Sequence, residues 1–389
     1  MDAPSPPKTT VLVLLRQEVP EDTPPTRKAP EPLCLVVYPR LLAFLREAYS
    51  NEVKVIAGAS VESFLKRKDE VEQAQIVFVL DTSPELLSSL HPYLKSLRWI
   101  HIYFVGVDAY TSYIATASSP RDESLTLQDD PYFLITNGRG VFTPPLTEYV
   151  LTAMLYFTKE IPRLEKLKKD RKWEVFSMNQ LQGKTVGFLG YGEIAQETAK
   201  LLQAFNMKFT VLRRQKKKEK KPSDGTSSDA SLPFIEKTWI STDSDKLDFF
   251  RSADFVVSSL PSTRETQNFV GKLEFEAMKK SCIFVSIGRG SVVDEAALKD
   301  ALEKREIFGA ALDVFQQEPL PPSSPLWNVE NLLISSHTCD WIEDHSAQRG
   351  IHVFNENLKR YLHSGVGTPP SKTIKQEDMF TPIDKHLGY

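Results

Sequence analysis

Residues 186–195 read VGFLGYGEIA and carry a glycine pattern suited to binding phosphate groups. Gly190, Gly192 and Ala195 follow an apolar run typical of a strand and open a segment with helical periodicity. In that context Gly190 permits a tight turn, Gly192 lets the backbone approach a diphosphate, and Ala195 permits close packing of helix and strand. The N–H groups at the start of the helix would attract the negative charge. A glycine turn in an unrelated α/β protein is the alternative explanation.

The residues at the end of the next predicted strand favour NADP over NAD. A carboxylate about 20 residues after the glycines would accept hydrogen bonds from the adenosine ribose of NAD. This chain instead has Arg213 and Arg214, and a run of lysines follows them from Lys216 to Lys221. Because a guanidinium binds a 2′-phosphate, the two arginines predict NADP, with NAD as the alternative cofactor. We interpret the lysines as exposed loop residues.

Two series of short apolar runs and helical segments would position these residues. In the first series, LCLVVY (33–38) is predicted as a strand, VESFLKRK (61–68) as a helix and FLITN (133–137) as a strand. The second series begins at Lys184. Such alternation predicts parallel sheets that are covered by helices on both faces. Whether Val11–Leu15 joins the first sheet stays open.

Four further segments are predicted to be loops or helices from their composition and periodicity. Residues 117–131 are polar and predict an inserted surface loop, and residues 145–170 are helical in period with a break expected at Pro162. Residues 215–231 are charged and low in complexity, too polar to contribute to a core, and are expected to be mobile. A last helix is predicted over 345–362.

Length and composition limit the number of domains, the partners and the location that the chain can have. The 389 residues, of which 41% are hydrophobic, suffice for two domains. The net charge of −3 gives no reason to expect binding to nucleic acid. No apolar run approaches the roughly 20 residues that are needed to span a bilayer. We expect no signal or transit peptide and no metal site. The three cysteines show no CxxC spacing, which suits a reducing compartment, so a cytoplasmic location is predicted.

Four motifs occur in an order that resembles the D-isomer-specific 2-hydroxyacid dehydrogenase family. They are GKTVGFLGYGEIA, SIGRGSVVDEAAL (286–298), ALDVFQQEPLP (311–321) and LLISSHT (332–338). The resemblance implies an α/β protein with two doubly wound parallel-sheet domains. A flavodoxin-like substrate domain would comprise residues 1–140 and be completed by 340–389, and a Rossmann NADP-binding domain would comprise 141–339.

The resemblance assigns three catalytic residues. Arg289 matches the arginine that pairs with the substrate carboxylate and carbonyl, His337 matches the proton donor and acceptor, and Glu318 matches the acid that orients the histidine. The chemistry agrees, because reducing a 2-oxo acid needs a hydride, a proton for the carbonyl oxygen and an anchor for the carboxylate. Each residue lies just beyond an apolar run, where open α/β sheets bind ligands.

The resemblance also assigns binding residues. Val105 and Gly106 match the loop whose backbone N–H groups hold the substrate carboxylate. Leu260 and Pro261 match a loop over the cofactor, and Asp313 matches a residue facing the nicotinamide. The full set of predicted cofactor-binding residues is Gly190, Gly192, Glu193, Ile194, Arg213, Arg214, Leu260, Pro261, Ile287, Gly288 and Asp313.

The predicted function is therefore hydride transfer between NAD(P)H and the C2 carbonyl of a small 2-oxo acid. The helical segment 145–170 resembles the dimer-forming arm of the family, which implies a homodimer. The chain departs from the family pattern at Tyr103-Phe104-Val105, where a small polar residue is common, and at Ser286, where asparagine is usual. Trp341 is either a wall of the substrate pocket or a packing residue. A dinucleotide-sensing, corepressor-like binding protein on the same fold is the alternative function. A formate-dehydrogenase-like enzyme is disfavoured, since that relative has glutamine where this chain has Glu318.

Overall fold

The computed structural model describes residues 8–19, 33–80, 84–214, 235–241, 246–340, 343–363 and 374–386. The charged stretch 215–231 and Trp341 lie outside the described residues. The chain divides into two compact units, the first formed by Met1–Phe142 with Ile342–Tyr389 and the second by Thr143–Trp341.

The first unit is built on a parallel sheet. Among the described residues its strands are β1 (Thr9–Leu14), β2 (Val53–Gly58), β3 (Ile76–Val79), β4 (Trp99–Ile102) and, after a short antiparallel pair β5 (Ser118–Ser119) and β6 (Asp122–Thr126), β7 (Leu134–Asn137). The spatial order β2-β1-β3-β4-β7 is that of flavodoxin-like sheets. The connecting helices are α1 (Leu33–Ala48), α2 (Val61–Leu65), α3 (Lys68–Glu72), α4 (Pro84–Leu90) and α5 (Thr111–Thr116).

The prediction of a strand at LCLVVY (33–38) is wrong, because these residues form the first half of α1, which continues through Pro39. Val36, Val37 and Tyr38 are all buried, and a fully buried helix shows the same unbroken apolar run as a buried strand. Strand β1 pairs with β2 on one side and β3 on the other, and it contains most of the segment Val11–Leu15 whose pairing the sequence left open.

Two smaller predictions need correction. The helix predicted over 61–68 is interrupted, since α2 ends at Leu65 and α3 begins at Lys68. The predicted surface loop 117–131 contains the β5–β6 hairpin, and its Leu127 and Asp130 are buried. The hydroxyl of Ser119 donates a hydrogen bond to Asp130, 2.6 Å away, so this insertion has a polar core of its own.

The second unit contains the longer parallel sheet. Its described strands are β8 (Thr185–Leu189), β9 (Lys208–Arg213), β10 (Ile235–Ile240), β11 (Phe255–Ser258), β12 (Ile283–Ser286), β13 (Gly309–Leu312) and β14 (Leu332–Ile334). The order β10-β9-β8-β11-β12-β13-β14 is the Rossmann order with one more strand at the edge. Strand β10 is not predicted from the sequence, because it follows the low-complexity stretch and half of its residues are exposed.

Helices connect the strands of this sheet. Because the strands are parallel, their carboxyl ends lie at the same edge. The helices are α6 (Thr143–Thr158), α7 (Ile161–Lys169), α8 (Glu193–Gln203), α9 (Lys246–Ser252), α10 (Lys272–Ala277) and α11 (Glu295–Glu303). The expected break near Pro162 is confirmed: α6 ends at Thr158, and Glu160, with φ of 48°, precedes α7. The chain then returns to the first unit with α12 (Glu343–His363). None of the described helices is both long enough and apolar enough to cross a bilayer.

Candidate active site

The glycine turn of the second unit joins β8 to α8. Gly190 has φ of 78°, a left-handed conformation that favours glycine, and its N–H donates to the carbonyl of Leu212 at 2.9 Å. Gly192 caps the eleven-residue α8, and a Cβ at Gly192 would meet no atom within 4 Å. The N–H groups at the start of α8 are therefore approachable, which fits a bound diphosphate.

The first turn of α8 holds the rest of the motif in place. Ala195 is buried, which is compatible with the close packing expected at this position. The Glu193 carboxylate accepts a hydrogen bond from the hydroxyl of Thr143, 3.0 Å away, and Ile194 is half-buried. The helix start is thus tied to the first residue of α6.

The two strand-end arginines have different surroundings. The guanidinium of Arg213 lies over the ring of Tyr191, 5.3 Å from its centroid, and Tyr191 is the middle residue of the glycine turn. Arg214 is exposed, and its Nη1 lies 2.9 Å from a carboxylate oxygen of Glu265. Burial raises the pKa of Tyr191 to about 12, and its hydroxyl oxygen is buried without a hydrogen-bond partner among the described residues. Of the two arginines, Arg213 is therefore the one that lies against the glycine turn.

Close backbone contacts fix the loop after β12. A Cβ on Gly288 would lie 2.4 Å from the carbonyl oxygen of Leu260, so no side chain fits there. The N–H of Ile287 donates to the carbonyl of Ser258 at 3.0 Å, and the carbonyl of Pro261 accepts from the Thr266 hydroxyl at 2.6 Å. The predicted cofactor loop at 260–261 and the segment 287–288 are thus held together at the ends of β11 and β12.

Arg289 follows directly. A Cβ on its neighbour Gly290 would lie 1.9 Å from the carbonyl carbon of Phe315, so the loops after β12 and β13 touch through their backbones. The Arg289 side chain is half-buried, and its Nη1 donates to the carbonyl of Gly288 at 2.8 Å. This contact keeps the guanidinium at the strand-end edge of the sheet.

His337 and Glu318 form a hydrogen-bonded pair. Nδ1 of His337 lies 2.7 Å from Oε2 of Glu318, and Oε1 of Glu318 accepts the backbone N–H of Phe315 at 2.8 Å. The carboxylate is thus anchored at one oxygen and holds the ring with the other. With Nδ1 engaged, Nε2 is the ring nitrogen that can exchange a proton, and the His337 side chain is 44% exposed.

Asp313 fixes the backbone that carries His337. The residue is buried, its carbonyl accepts the N–H of His337 at 2.9 Å, and its Oδ1 accepts from the Ser335 hydroxyl at 2.6 Å and from the N–H of Thr338 at 3.1 Å. His337 has φ of 53°, so these contacts hold a backbone conformation that non-glycine residues adopt rarely. The predicted contact of Asp313 with the nicotinamide remains a prediction.

Tyr149 and Cys339, which the sequence did not point to, extend the hydrogen-bond network of the Asp313 carboxylate: Tyr149 bonds to Ser335, and Cys339 bonds to Asp313 directly. The hydroxyls of Tyr149 and Ser335 lie 2.7 Å apart, and burial raises the pKa of Tyr149 to about 12. The thiol of Cys339 donates to Oδ2 of Asp313 at 2.8 Å, and burial, together with Asp313, raises the pKa of that thiol. Cys339 is therefore a protonated donor. Ser335 is two residues from His337, but nothing in the sequence connects Tyr149 to it.

The predicted substrate loop belongs to the first unit. Val105 and Gly106 follow β4, and the carbonyl of Val105 accepts from the side-chain amide of Asn137 at 2.7 Å. Phe104 stacks on Phe142 with ring centroids 6.3 Å apart, and the buried Tyr103 donates its hydroxyl hydrogen to the carbonyl of Ser346. Of the bulky residues that depart from the family pattern, Tyr103 is thus buried in the first unit, whereas Phe104 is partly exposed beside Phe142.

The chain is similar in sequence to known proteins. Residues 151–339 match the family model described as "D-isomer specific 2-hydroxyacid dehydrogenase, NAD binding domain". The glyoxylate reductase of Thermofilum pendens is 30% identical over 64% of this chain and 71% of its own. The glyoxylate/hydroxypyruvate reductase B of an Enterobacter species is 30% identical over 67% of this chain and 73% of its own.

Solved structures share the fold. A D-isomer specific 2-hydroxyacid dehydrogenase family protein from Aeromonas salmonicida aligns over 97% of this chain and 100% of its own, with a TM-score of 0.69 and 24% identity. An NADPH-dependent glyoxylate/hydroxypyruvate reductase from Sinorhizobium meliloti was solved in complex with NADP and sulfate. It aligns over 98% of this chain and 100% of its own, with a TM-score of 0.69 and 22% identity. With its dinucleotide turn, its His337–Glu318 pair and these relatives, the chain belongs to the D-isomer-specific 2-hydroxyacid dehydrogenase family.

Proposed function

We propose that this protein is an NADPH-dependent reductase of a small 2-oxo acid such as glyoxylate, hydroxypyruvate or a bulkier apolar homologue. In the reduction, a hydride adds to the C2 carbonyl carbon and a proton adds to the carbonyl oxygen. The products are the 2-hydroxy acid and NADP⁺, and the reverse reaction returns both the hydride and the proton.

The observation that carries the proposal is the hydrogen bond between His337 and Glu318. A regulator that only senses a dinucleotide needs no anchored carboxylate behind an accessible imidazole. An acid catalyst does, because the carboxylate orients the ring and stabilises the imidazolium. His337 would give the proton on Nε2 to the substrate oxygen, while Glu318 keeps Nδ1 engaged.

Arg289 supplies the substrate anchor in this proposal. A planar guanidinium binds a carboxylate through two hydrogen bonds and polarises an adjacent carbonyl. Its loop is fixed on both sides, by the contact of Gly288 with Leu260 and by that of Gly290 with Phe315. By family resemblance, the backbone N–H groups of the Val105–Gly106 loop in the first unit would bind a substrate carboxylate.

The residues at the glycine turn fit NADPH. The start of α8 would hold the diphosphate, and Arg213 would hold the 2′-phosphate from its position over Tyr191. The bound cofactor supplies the hydride. Leu260, Pro261 and the segment Ile287–Gly288 would line the same cofactor. The use of NADPH is also known for a structural neighbour, since the Sinorhizobium meliloti protein is named as NADPH-dependent.

The test is a panel of glyoxylate, hydroxypyruvate, pyruvate and phenylpyruvate, each assayed with NADPH and with NADH by absorbance at the nicotinamide band. We expect turnover of at least one acid and a higher kcat/KM with NADPH. An enzyme preparation that binds NADPH in calorimetry but turns over no acid on the panel would overturn the proposal and favour the dinucleotide-sensing regulator.

A further inference from the structure

Asn137 ends β7 and is almost completely buried. Its side-chain amide donates to the carbonyl oxygen of Val105 at 2.7 Å, and its Oδ1 accepts the N–H of Arg139 at 3.3 Å. One buried amide therefore fixes the orientation of a single peptide group, the one that joins Val105 to Gly106.

That peptide group is the one proposed to bind substrate. In a trans peptide the C=O and the following N–H lie in one plane and point in opposite directions. Because Asn137 holds the carbonyl of Val105, it also fixes the direction of the Gly106 N–H. An N–H that is oriented before the substrate arrives binds an anion without the cost of ordering the loop.

The C-terminal segment holds Asn137 in turn. The hydroxyl of Thr381 donates to the backbone carbonyl of Asn137 at 2.6 Å, and the N–H of Asn137 donates to the carbonyl of Thr381 at 3.3 Å. Asn357, buried on α12, donates to the Thr381 hydroxyl at 3.0 Å and accepts the N–H groups of Phe380 and Thr381. Residues that are over 200 positions apart thus form one buried chain of hydrogen bonds that ends at Val105.

We propose that Asn137 is a positioning residue for the substrate carboxylate, acting through the Val105–Gly106 peptide, and that Thr381 on the C-terminal segment keeps Asn137 in register. Asn137 itself touches neither substrate nor cofactor in this account. The proposal rests on the proposed function, because it assigns Asn137 to the substrate loop of that function.

The first test replaces the amide. Asn137→Ala removes the donor to Val105, and we expect the KM for the best 2-oxo acid to rise about tenfold or more, because small displacements of positioning groups are costly. The KM for NADPH should stay within about twofold, because the glycine turn belongs to the other unit. Ser119→Ala, which removes a buried hydrogen bond to Asp130 in the same unit, is the matched control. It should lower Tm with the KM for the oxo acid unchanged.

A second pair of variants tests the C-terminal segment. Thr381→Val removes the hydroxyl and keeps the shape, so it should raise the KM for the oxo acid in the same direction as Asn137→Ala. Thr381→Ser restores the hydroxyl and should restore the wild-type KM. An Asn137→Ala protein that is folded and has the wild-type KM, or a Thr381→Ser protein no better than Thr381→Val, would overturn the proposal.

Hydrogen exchange separates this inference from the proposed function. Peptides covering 103–110 should exchange faster in Asn137→Ala than in wild type without substrate, and not in Ser119→Ala. Equal exchange in Asn137→Ala and wild type would overturn the positioning role whatever the activity. A wild type that reduces no 2-oxo acid would overturn the proposed function, and faster exchange in Asn137→Ala would then still support Asn137 as the residue that orders this loop.

Discussion

His337 combines a ring that is proposed to be catalytic with a left-handed backbone, and different residues hold the ring and the backbone. Glu318 holds the ring nitrogen, whereas Asp313 holds the backbone N–H and the residues on either side. Histidine, asparagine and aspartate tolerate this conformation better than other non-glycine residues. Asparagine is therefore the replacement that removes the acid while keeping the turn.

His337→Asn should lower kcat for oxo-acid reduction by about 10²–10⁴, the usual contribution of a general acid, with NADPH affinity nearly unchanged. Steady-state kinetics and calorimetric titration of NADPH measure the two quantities. His352→Asn, at an exposed histidine of α12, is the matched control and should be indistinguishable from wild type. Near-wild-type turnover in His337→Asn would remove His337 from the mechanism.

Glu318→Gln should lower kcat for oxo-acid reduction in the same direction as His337→Asn, because the anchored carboxylate that orients the His337 ring is lost. The affinity for NADPH should stay nearly unchanged. Steady-state kinetics and calorimetric titration of NADPH measure the two quantities, and a wild-type kcat in Glu318→Gln would show that Glu318 does not support the proton transfer.

Arg213 and Arg214 are neighbours in sequence but differ in surroundings, so they give a matched pair. Arg213→Ala should lower kcat/KM with NADPH by about 10–100-fold, because a charge-assisted contact to the 2′-phosphate is lost, and should leave NADH almost unaffected. Arg214→Ala, at the residue paired with Glu265, should have a smaller effect. If Arg213→Ala and Arg214→Ala lowered kcat/KM with NADPH equally, or if Arg213→Ala lowered kcat/KM with NADH as much as with NADPH, the assignment of Arg213 to the 2′-phosphate would be wrong.

Strand β4 carries His101, which is fully buried beside Phe78, Trp99 and Phe354. Burial lowers the pKa of His101 to about 3, and its Nδ1 lies 2.7 Å from the hydroxyl oxygen of Thr136. An unfolded chain protonates a histidine near pH 6.5, whereas the folded chain keeps this one neutral. The unfolded state therefore binds the extra proton, and stability is lost as pH falls from about 6.5 towards 3.

Between pH 7 and pH 4.5 this single group should cost about 2–3 kcal/mol of unfolding free energy. Urea denaturation of wild type and His101→Asn at both pH values isolates the effect. The variant should be less stable at pH 7, because it leaves a cavity, but should lose less stability on acidification. His352→Asn should keep the wild-type pH dependence, and a His101→Asn protein with that same dependence would refute the argument.

The elements show what the sequence could and could not supply. Polar residues at the ends of apolar runs predicted the strand-end positions of Arg289 and His337, because parallel strands bring their carboxyl ends to one edge. The run LCLVVY was ambiguous, because a helix buried on all sides has no periodicity to distinguish it from a strand. The contacts of Tyr149, Asn137 and Thr381 join distant segments, and no local sequence pattern marks these residues.

In the whole molecule, the segment after α7 is unusually apolar for its exposure. Trp173 is 97% exposed and Val175 is 88% exposed, whereas most large apolar side chains of the described residues are buried. This segment follows the helices that resemble the dimer-forming arm of the family. We therefore predict a two-fold homodimer in which a second copy covers Trp173 and Val175.

Light scattering at micromolar concentration should give twice the mass of the chain, and Trp173→Arg should shift the protein towards monomer. Leu273→Asp is the matched control, since Leu273 is a 63% exposed apolar residue on α10 of the same unit and should leave the mass unchanged. A monomeric wild type would refute the dimer, and an unaltered Trp173→Arg dimer would place the interface elsewhere.

The first unit also has a consequence for how the protein is made. Its sheet is synthesised early, but Phe354 and Tyr361, which lie against Trp99 at centroid distances of 5.3 Å and 5.5 Å, come from α12. A ribosome must translate all of Thr143–Trp341 in between, a delay of roughly 10–40 s at typical elongation rates. During that interval the nascent sheet lacks the aromatic cover on Trp99, whereas the second unit is contiguous and can fold at once. The yield of active protein in a cell should therefore depend on chaperones that shield the early strands and on the speed of translation across the middle of the message.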